Sequence, residues 1–284
     1  MNIYRFVFAA TIYLSMHTQF ILSEQYNNTD QAKVIETLNQ TELNKLLFQH
    51  LIKRDYSSAT EAISKGADVN NSDQFGIPLL HIAIDTHALE AVDFLIQAGA
   101  NVNIQNQLGN TCLHHALRYN AFNIIQTFID AGADLNIKNE YGDTVLHDAA
   151  AEGFFDIAEI FILAHADVNI QNNYGETAFF IAANENSLEF IKLLIENGAD
   201  INIADNYGDT PLHVAAIENN IELASLLIQS GAHINAQNID GETPLHYASE
   251  EDADQDLINL LLKHGADSTI SDNEGILAKP YKNQ

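Results

Sequence analysis

The sequence predicts an all-α fold: an α-solenoid of helix-turn-helix units joined by β-hairpin loops. Three observations carry that expectation. A ten-residue block recurs at a spacing of 33, glycines stand in two columns at the same spacing, and two short apolar stripes of helical periodicity lie between them. Units this short cannot bury their own apolar faces, so they must stack.

The cleanest copy of the block is Tyr207-Gly208-Asp209-Thr210-Pro211-Leu212-His213-Val214-Ala215-Ala216. Moving back by 33 gives Tyr174-Gly175-Glu176-Thr177, Tyr141-Gly142-Asp143-Thr144, Leu108-Gly109-Asn110-Thr111 and Phe75-Gly76. Moving forward by 33 gives Asp240-Gly241-Glu242-Thr243-Pro244-Leu245-His246. Of the 14 glycines, Gly76 and Gly275 bound one column, Gly66 and Gly265 bound the other, and Gly153 alone lies outside both.

Within a unit each element has a local cause. Thr210 caps a first helix whose opening residue, Pro211, has a helical φ and no amide to leave unpaired. Leu212, Ala215 and Ala216 give it a narrow apolar stripe whose alanines allow close approach. Ile221, Ala224, Leu227 and Ile228 predict a second helix, ended at Gly231, where a left-handed residue suits glycine. The column of Gly76 sits in the polar turn before the next helix.

The pattern T-P-L-H-x-A-A followed by L-L-x-x-G-A-D-V-N resembles the ankyrin repeat family over residues 41–284. The resemblance implies a solenoid with hairpin loops on one side, a concave groove, and protein-protein recognition without catalysis. It also implies that the histidine of the block holds the helix start and neighbouring loops by hydrogen bonds.

Residues 1–23 do not belong to the array. Arg5 precedes the apolar stretch from Phe6 to Met16, which His17, Thr18 and Gln19 interrupt, and Ser23 offers a small residue for cleavage. It is shorter than the roughly 20 apolar residues a spanning helix needs. The stretch reads as a cleaved export signal, so the chain is expected to be secreted or otherwise exported. The alternative is a cytoplasmic scaffold that keeps its leader.

Residues 24–40 read as a polar linker, residues 41–74 as an atypical opening repeat, residues 75–274 as full repeats, and residues 275–284 as a truncated end. Asn27, Asn39 and Asn70 each open an N-x-S/T acceptor pattern, relevant only in a secretory pathway.

The 39 acidic residues against 12 Lys and Arg give a net charge of −27. That balance argues against nucleic acid and anionic membranes as partners and favours a basic protein partner. The mature chain is expected to be a monomer that does not insert into a membrane. Cys112, the only cysteine, replaces Pro211 of the block and reads as a packed residue.

No cofactor, metal or catalytic residue is expected. His81, His114, His147, His213 and His246 stand on successive helices about 8–10 Å apart, too far to converge on one ion. His115 beside His114 is expected to point elsewhere on the helix and to add nothing to such a site. Asp252, Asp254 and Asp256 begin like a calcium loop, but Leu257 and Lys263 occupy the positions that need Gly and Glu. Two interior departures, His165 at a helix-end glycine position and Ala178-Phe179-Phe180 in place of Pro-Leu-His, read as drift with larger apolar packing.

Three columns remain as candidate protein-binding residues. Asp143, Glu176, Asp209 and Glu242 follow the turn glycine, where the helix dipole already favours an acid. Glu152, Glu185, Glu218 and Glu251 close the first helix, where the dipole disfavours them. Tyr141, Tyr174 and Tyr207, with Phe75, precede the turn glycine. The resemblance implies that these positions face the hairpin tips and the groove.

Overall fold

The computed structural model describes residues 38–249 and 254–278, and the chain divides into two compact units, Met1–Asn71 and Ser72–Gln284. The export stretch therefore lies outside the described residues, as do Glu251 and residues 279–284 of the truncated end.

In the first unit, α1 (Gln40–Ile52) and α2 (Tyr56–Ser64) pack on each other and bury Leu43, Leu47, Leu51, Ala59 and Ala62. The expected linker extends to residue 40, but the helix already begins there. Asn39 accepts from the Glu42 amide while Glu42 accepts from the Asn39 amide, and this reciprocal cap starts α1 inside the polar stretch.

In the second unit, inner helices alternate with outer helices. The inner set is α3 (Leu79–Asp85), α5 (Cys112–Arg118), α7 (Val145–Glu152), α9 (Ala178–Asn184), α11 (Pro211–Ile217) and α13 (Pro244–Tyr247). The outer set is α4 (Leu89–Gln97), α6 (Ile125–Asp130, after a 3-10 turn Phe122–Ile124), α8 (Phe155–Leu163), α10 (Leu188–Glu196), α12 (Ile221–Gln229) and α14 (Gln255–Lys263). Each inner helix packs on the next.

The 33-residue spacing becomes two buried columns. Leu80, Leu113, Leu146, Phe179, Leu212 and Leu245 fill the inner layer, and Leu95, Phe128, Phe161, Leu194, Leu227 and Leu261 the outer layer. Burying one such side chain contributes about 1.5–3 kcal/mol. Ala116, Ala149, Ala182, Ala215 and Ala248 are fully covered, which is what lets consecutive inner helices approach.

The loops between repeats are tight turns. Among the described residues there is no strand, only the isolated bridges Ser72–Pro78 and Ser271–Leu277. The chain turns too tightly for a ladder. Asn139 N–H donates to Asp143 O at 2.9 Å, and the Asn139 side chain accepts from the Tyr141 and Asp143 amides.

Gly153 also has its place. It is the left-handed residue of the inner-to-outer turn, at φ +70°. The same position in other repeats holds Arg54, His87, Asn120, Asn186 and Asn219, all at φ between +51° and +56°. His165 sits at φ +68°, in the left-handed position that glycine fills after the other outer helices.

Candidate protein-interaction site

Except in the repeat of Phe180, each turn is tied to the next by the block histidine. In the Thr210–His213 pair, His213 Nδ1 accepts from the Thr210 amide at 2.9 Å and faces the Thr210 hydroxyl at 2.9 Å. Its Nε2–H donates to the Glu242 carbonyl of the following turn at 3.2 Å. His114 and His147 repeat both halves, reaching the Asp143 and Glu176 carbonyls, and His246 reaches Ile276.

His81 has Pro78 where the others have threonine. Its Nδ1 instead takes the Cys112 thiol at 3.7 Å, while its Nε2–H donates to the Asn110 carbonyl. With both nitrogens so used, the rings of His81, His114, His147 and His213 are neutral. Burial pushes His81 and His114 down to about 4 and lowers His147 and His213, against the raising effect of the carbonyl acceptors. Burial likewise pushes the Cys112 thiol up, so it is not a nucleophile.

The tyrosine row is exposed and held on a stiff edge. Tyr141, Tyr174 and Tyr207 are 52%, 59% and 66% exposed, although each precedes a turn buried in the stack. The Asn173, Asn206 and Ile239 amides donate to the Tyr141, Tyr174 and Tyr207 carbonyls at 3.0, 2.9 and 2.9 Å. Asn173 Nδ2 donates to Glu140 O and Asn206 Nδ2 to Asn173 O, which adds an amide ladder beside the backbone one.

The turn glycines make this close stacking possible. A Cβ on Gly142 would stand 2.5 Å from the Asn173 amide nitrogen, and one on Gly175 would stand 2.6 Å from that of Asn206.

The two acid columns part company. Asp143, Glu176, Asp209 and Glu242 are half-buried. Asn172 Nδ2 donates to Asp143 Oδ1 at 2.9 Å and to Glu176 Oε2 at 3.1 Å, and Asn238 bridges Asp209 and Glu242 in the same way. Burial raises Asp209, opposed by that Asn238 bond. These four acids are joints of the stack. Glu152, Glu185 and Glu218 are exposed at the far ends of α7, α9 and α11. At 1.5 Å per residue, roughly 12 Å of helix separates them from the turn edge.

Between those two borders runs a column that the motif leaves as x: Ile82, His115, Asp148, Ile181, Val214 and Tyr247. His115 is buried, donates to Asp85 Oδ1 of the preceding inner helix, and meets the His81 ring at 4.9 Å. Tyr247 bonds Asn238 through its hydroxyl and meets the His213 ring edge-on. Asp148 is raised to about 7 by burial and by Asp143, with Arg118 opposing. The sequence does carry a signal for this column: it is the one position inside T-P-L-H-x-A that changes chemical type in almost every repeat.

Among the described residues no group of three or more His, Cys, Asp or Glu could hold a metal, and no helix is long and apolar enough to cross a membrane. Asp254, in the stretch that begins like a calcium loop, caps α14 by accepting from the Asp256 amide.

The comparisons with known proteins agree with this geometry. Residues 47–139 and 146–238 match ankyrin repeats (3 copies), residues 240–273 match a single ankyrin repeat, and residues 119–162 match ankyrin repeats (many copies). No curated protein matches the sequence. Among solved structures, the ankyrin repeat domain of Bcl-3, a unique member of the IkappaB protein family, is similar at 30% identity and a TM-score of 0.63. That match covers 73% of this chain and 93% of the other. Family, stacking and turn chemistry coincide, and the chain belongs to the ankyrin repeat family, whose members are typically protein-binding scaffolds rather than catalysts.

Proposed function

We propose that the chain is exported and binds another protein that carries a Lys- or Arg-rich surface. The observation that carries this reading is the pairing of two exposed rows across the inner helices. Tyr141, Tyr174 and Tyr207 stand on a backbone edge already fixed by hydrogen bonds, so little loop entropy is lost on binding. Glu152, Glu185 and Glu218 stand where the helix dipole disfavours a carboxylate, so local stability does not account for them. Glu251 continues that row in the sequence. Aromatic anchors supply burial and the acids select charge.

The stack-joint acids Asp143, Glu176, Asp209 and Glu242 contribute to the field of the surface without being its contacts. The net charge of −27 steers a cationic partner toward it.

The reading is tested by titrating the full chain with a ten-residue peptide of alternating Lys and Leu and mapping protection by hydrogen exchange. Protection centred on residues 140–152, 173–185 and 206–218 supports it. Protection elsewhere, or spread evenly over the surface, removes it. N-terminal sequencing of the mature protein tests the export half: a product that retains Met1 in a cytosolic fraction contradicts it.

A further inference from the structure

The inner-to-outer turns of the repeats carrying α9 and α11 enclose a shallow depression of about 350 Å³. Its floor is aliphatic, made by the buried Ala183 and the half-buried Ile221. Its rim is polar, made by Asn184, Asn186, Glu218, Asn219 and Asn220.

The rim is held in place. Asn186 and Asn219 occupy left-handed turn positions at φ +51°. Asn220 Nδ2 donates to Asn186 Oδ1 at 2.7 Å across the two repeats, and Asn220 Oδ1 accepts from the Leu223 amide. Asn219 Oδ1 accepts from the Asp254 amide.

The charge of the depression is one-sided. Glu218 is the only ionisable group on it, and Glu218 is also the residue that closes α11. The negative ends of the α9 and α11 dipoles open beside it and the positive start of α12 faces them at Asn220 and Ile221, so the net charge of the depression is that of the Glu218 carboxylate. An aliphatic floor beneath a negative polar rim matches a side chain with an apolar stem and a cationic head.

We propose that this depression receives one lysine or arginine side chain of the basic partner, with its stem on Ala183 and Ile221 and its head at Glu218. The proposal rests on the binding function above and makes Glu218 unlike Glu185, which closes α9 outside the depression.

The test uses N-acetyl-arginine methylamide and its uncharged counterpart, N-acetyl-citrulline methylamide, titrated into the full chain and followed by amide chemical shifts. Expected is a saturable perturbation confined to residues 183–187 and 217–222 for the arginine compound and absent for citrulline. Glu218→Gln should weaken it at least fivefold, and Glu196→Gln, at the exposed end of α10, should leave it unchanged. Glu218 is exposed, so an unchanged thermal midpoint verifies folding of the variant.

Perturbations scattered over many acids, perturbations that do not saturate, or equal effects of the two substitutions overturn the socket. The ten-residue peptide separates this failure from that of the larger reading. If the peptide binds wild type and Glu218→Gln alike, but not a variant with Glu152, Glu185, Glu218 and Glu251 all changed to Gln, the larger reading stands and the socket falls. If it binds none, both fall.

Discussion

His213 Nε2 lies 3.2 Å from the carbonyl oxygen of Glu242, so one imidazole on α11 joins its own helix start to the turn of the next repeat. Replacing His213 with Ala leaves the Thr210 amide, the Thr210 hydroxyl and the Glu242 carbonyl to find other partners inside the stack. The expected loss is about 2–4 kcal/mol, from the cavity and the unmade bonds together. Denaturant unfolding of the variant checks it, and a loss below about 0.5 kcal/mol would show that the tether is incidental.

The same rings predict acid sensitivity. His81, His114, His147 and His213 are held below their ordinary value in the folded chain, so the unfolded chain binds more protons as pH falls. Their contribution is complete above about pH 6.5 and is lost as pH falls toward about 4, the folded value of His81 and His114. Chemical denaturation at pH 7, 6 and 5 should show stability falling over that interval, and His114→Leu should flatten the dependence. An unchanged slope in the variant would mean that the column does not carry it.

Asp148 has the opposite sign. Its folded value of about 7 lies above that of a free carboxylate, so the folded chain holds the extra proton, and stability is lost as pH rises toward 7. Asp148→Asn is therefore expected to stabilise at pH 8 by on the order of 1–3 kcal/mol, since a tenfold change in proton affinity corresponds to about 1.4 kcal/mol, and to do little at pH 4. A pH-independent effect would assign Asp148 to packing alone.

Left-handed positions give a paired prediction. His165→Gly should stabilise by on the order of 1 kcal/mol, and Gly153→Ala should destabilise by about 1–2 kcal/mol, since each exchanges glycine and a Cβ at positive φ. Residues 160–185 should exchange amide hydrogens faster than the flanking repeats. Phe180 replaces the block histidine there, so its side chain cannot donate to the following turn, while Thr177 still caps the Phe180 amide. Uniform protection, with no gain from His165→Gly, would remove this weak point.

Much of this architecture is legible in the sequence because it repeats. Thr210, Pro211, His213 and Gly231 each have a local reason, and recurrence at 33 separates those reasons from chance. Gly153 is not legible, because its column is filled elsewhere by Asn, His and Arg, and only backbone angles reveal it. The division of the acids is hidden for a different reason. Asp143 and Glu152 look alike in sequence, and the amide that captures Asp143 comes from Asn172 in the next repeat. His115 gives no local sign of its role because its partner, Asp85, lies 30 residues away across an inter-helix face.

The measurement that bears most directly on the proposed function is a salt series on one column of glutamates. Glu152, Glu185, Glu218 and Glu251 are changed together to Gln, and affinity for the ten-residue Lys/Leu peptide is measured from low to physiological ionic strength. Affinity is predicted to fall roughly tenfold or more at low salt, with a clearly shallower salt dependence, because exposed charges act mainly through screened long-range attraction. Equal affinity and an equal salt slope in wild type and variant would place these glutamates on a solvated face and contradict the account.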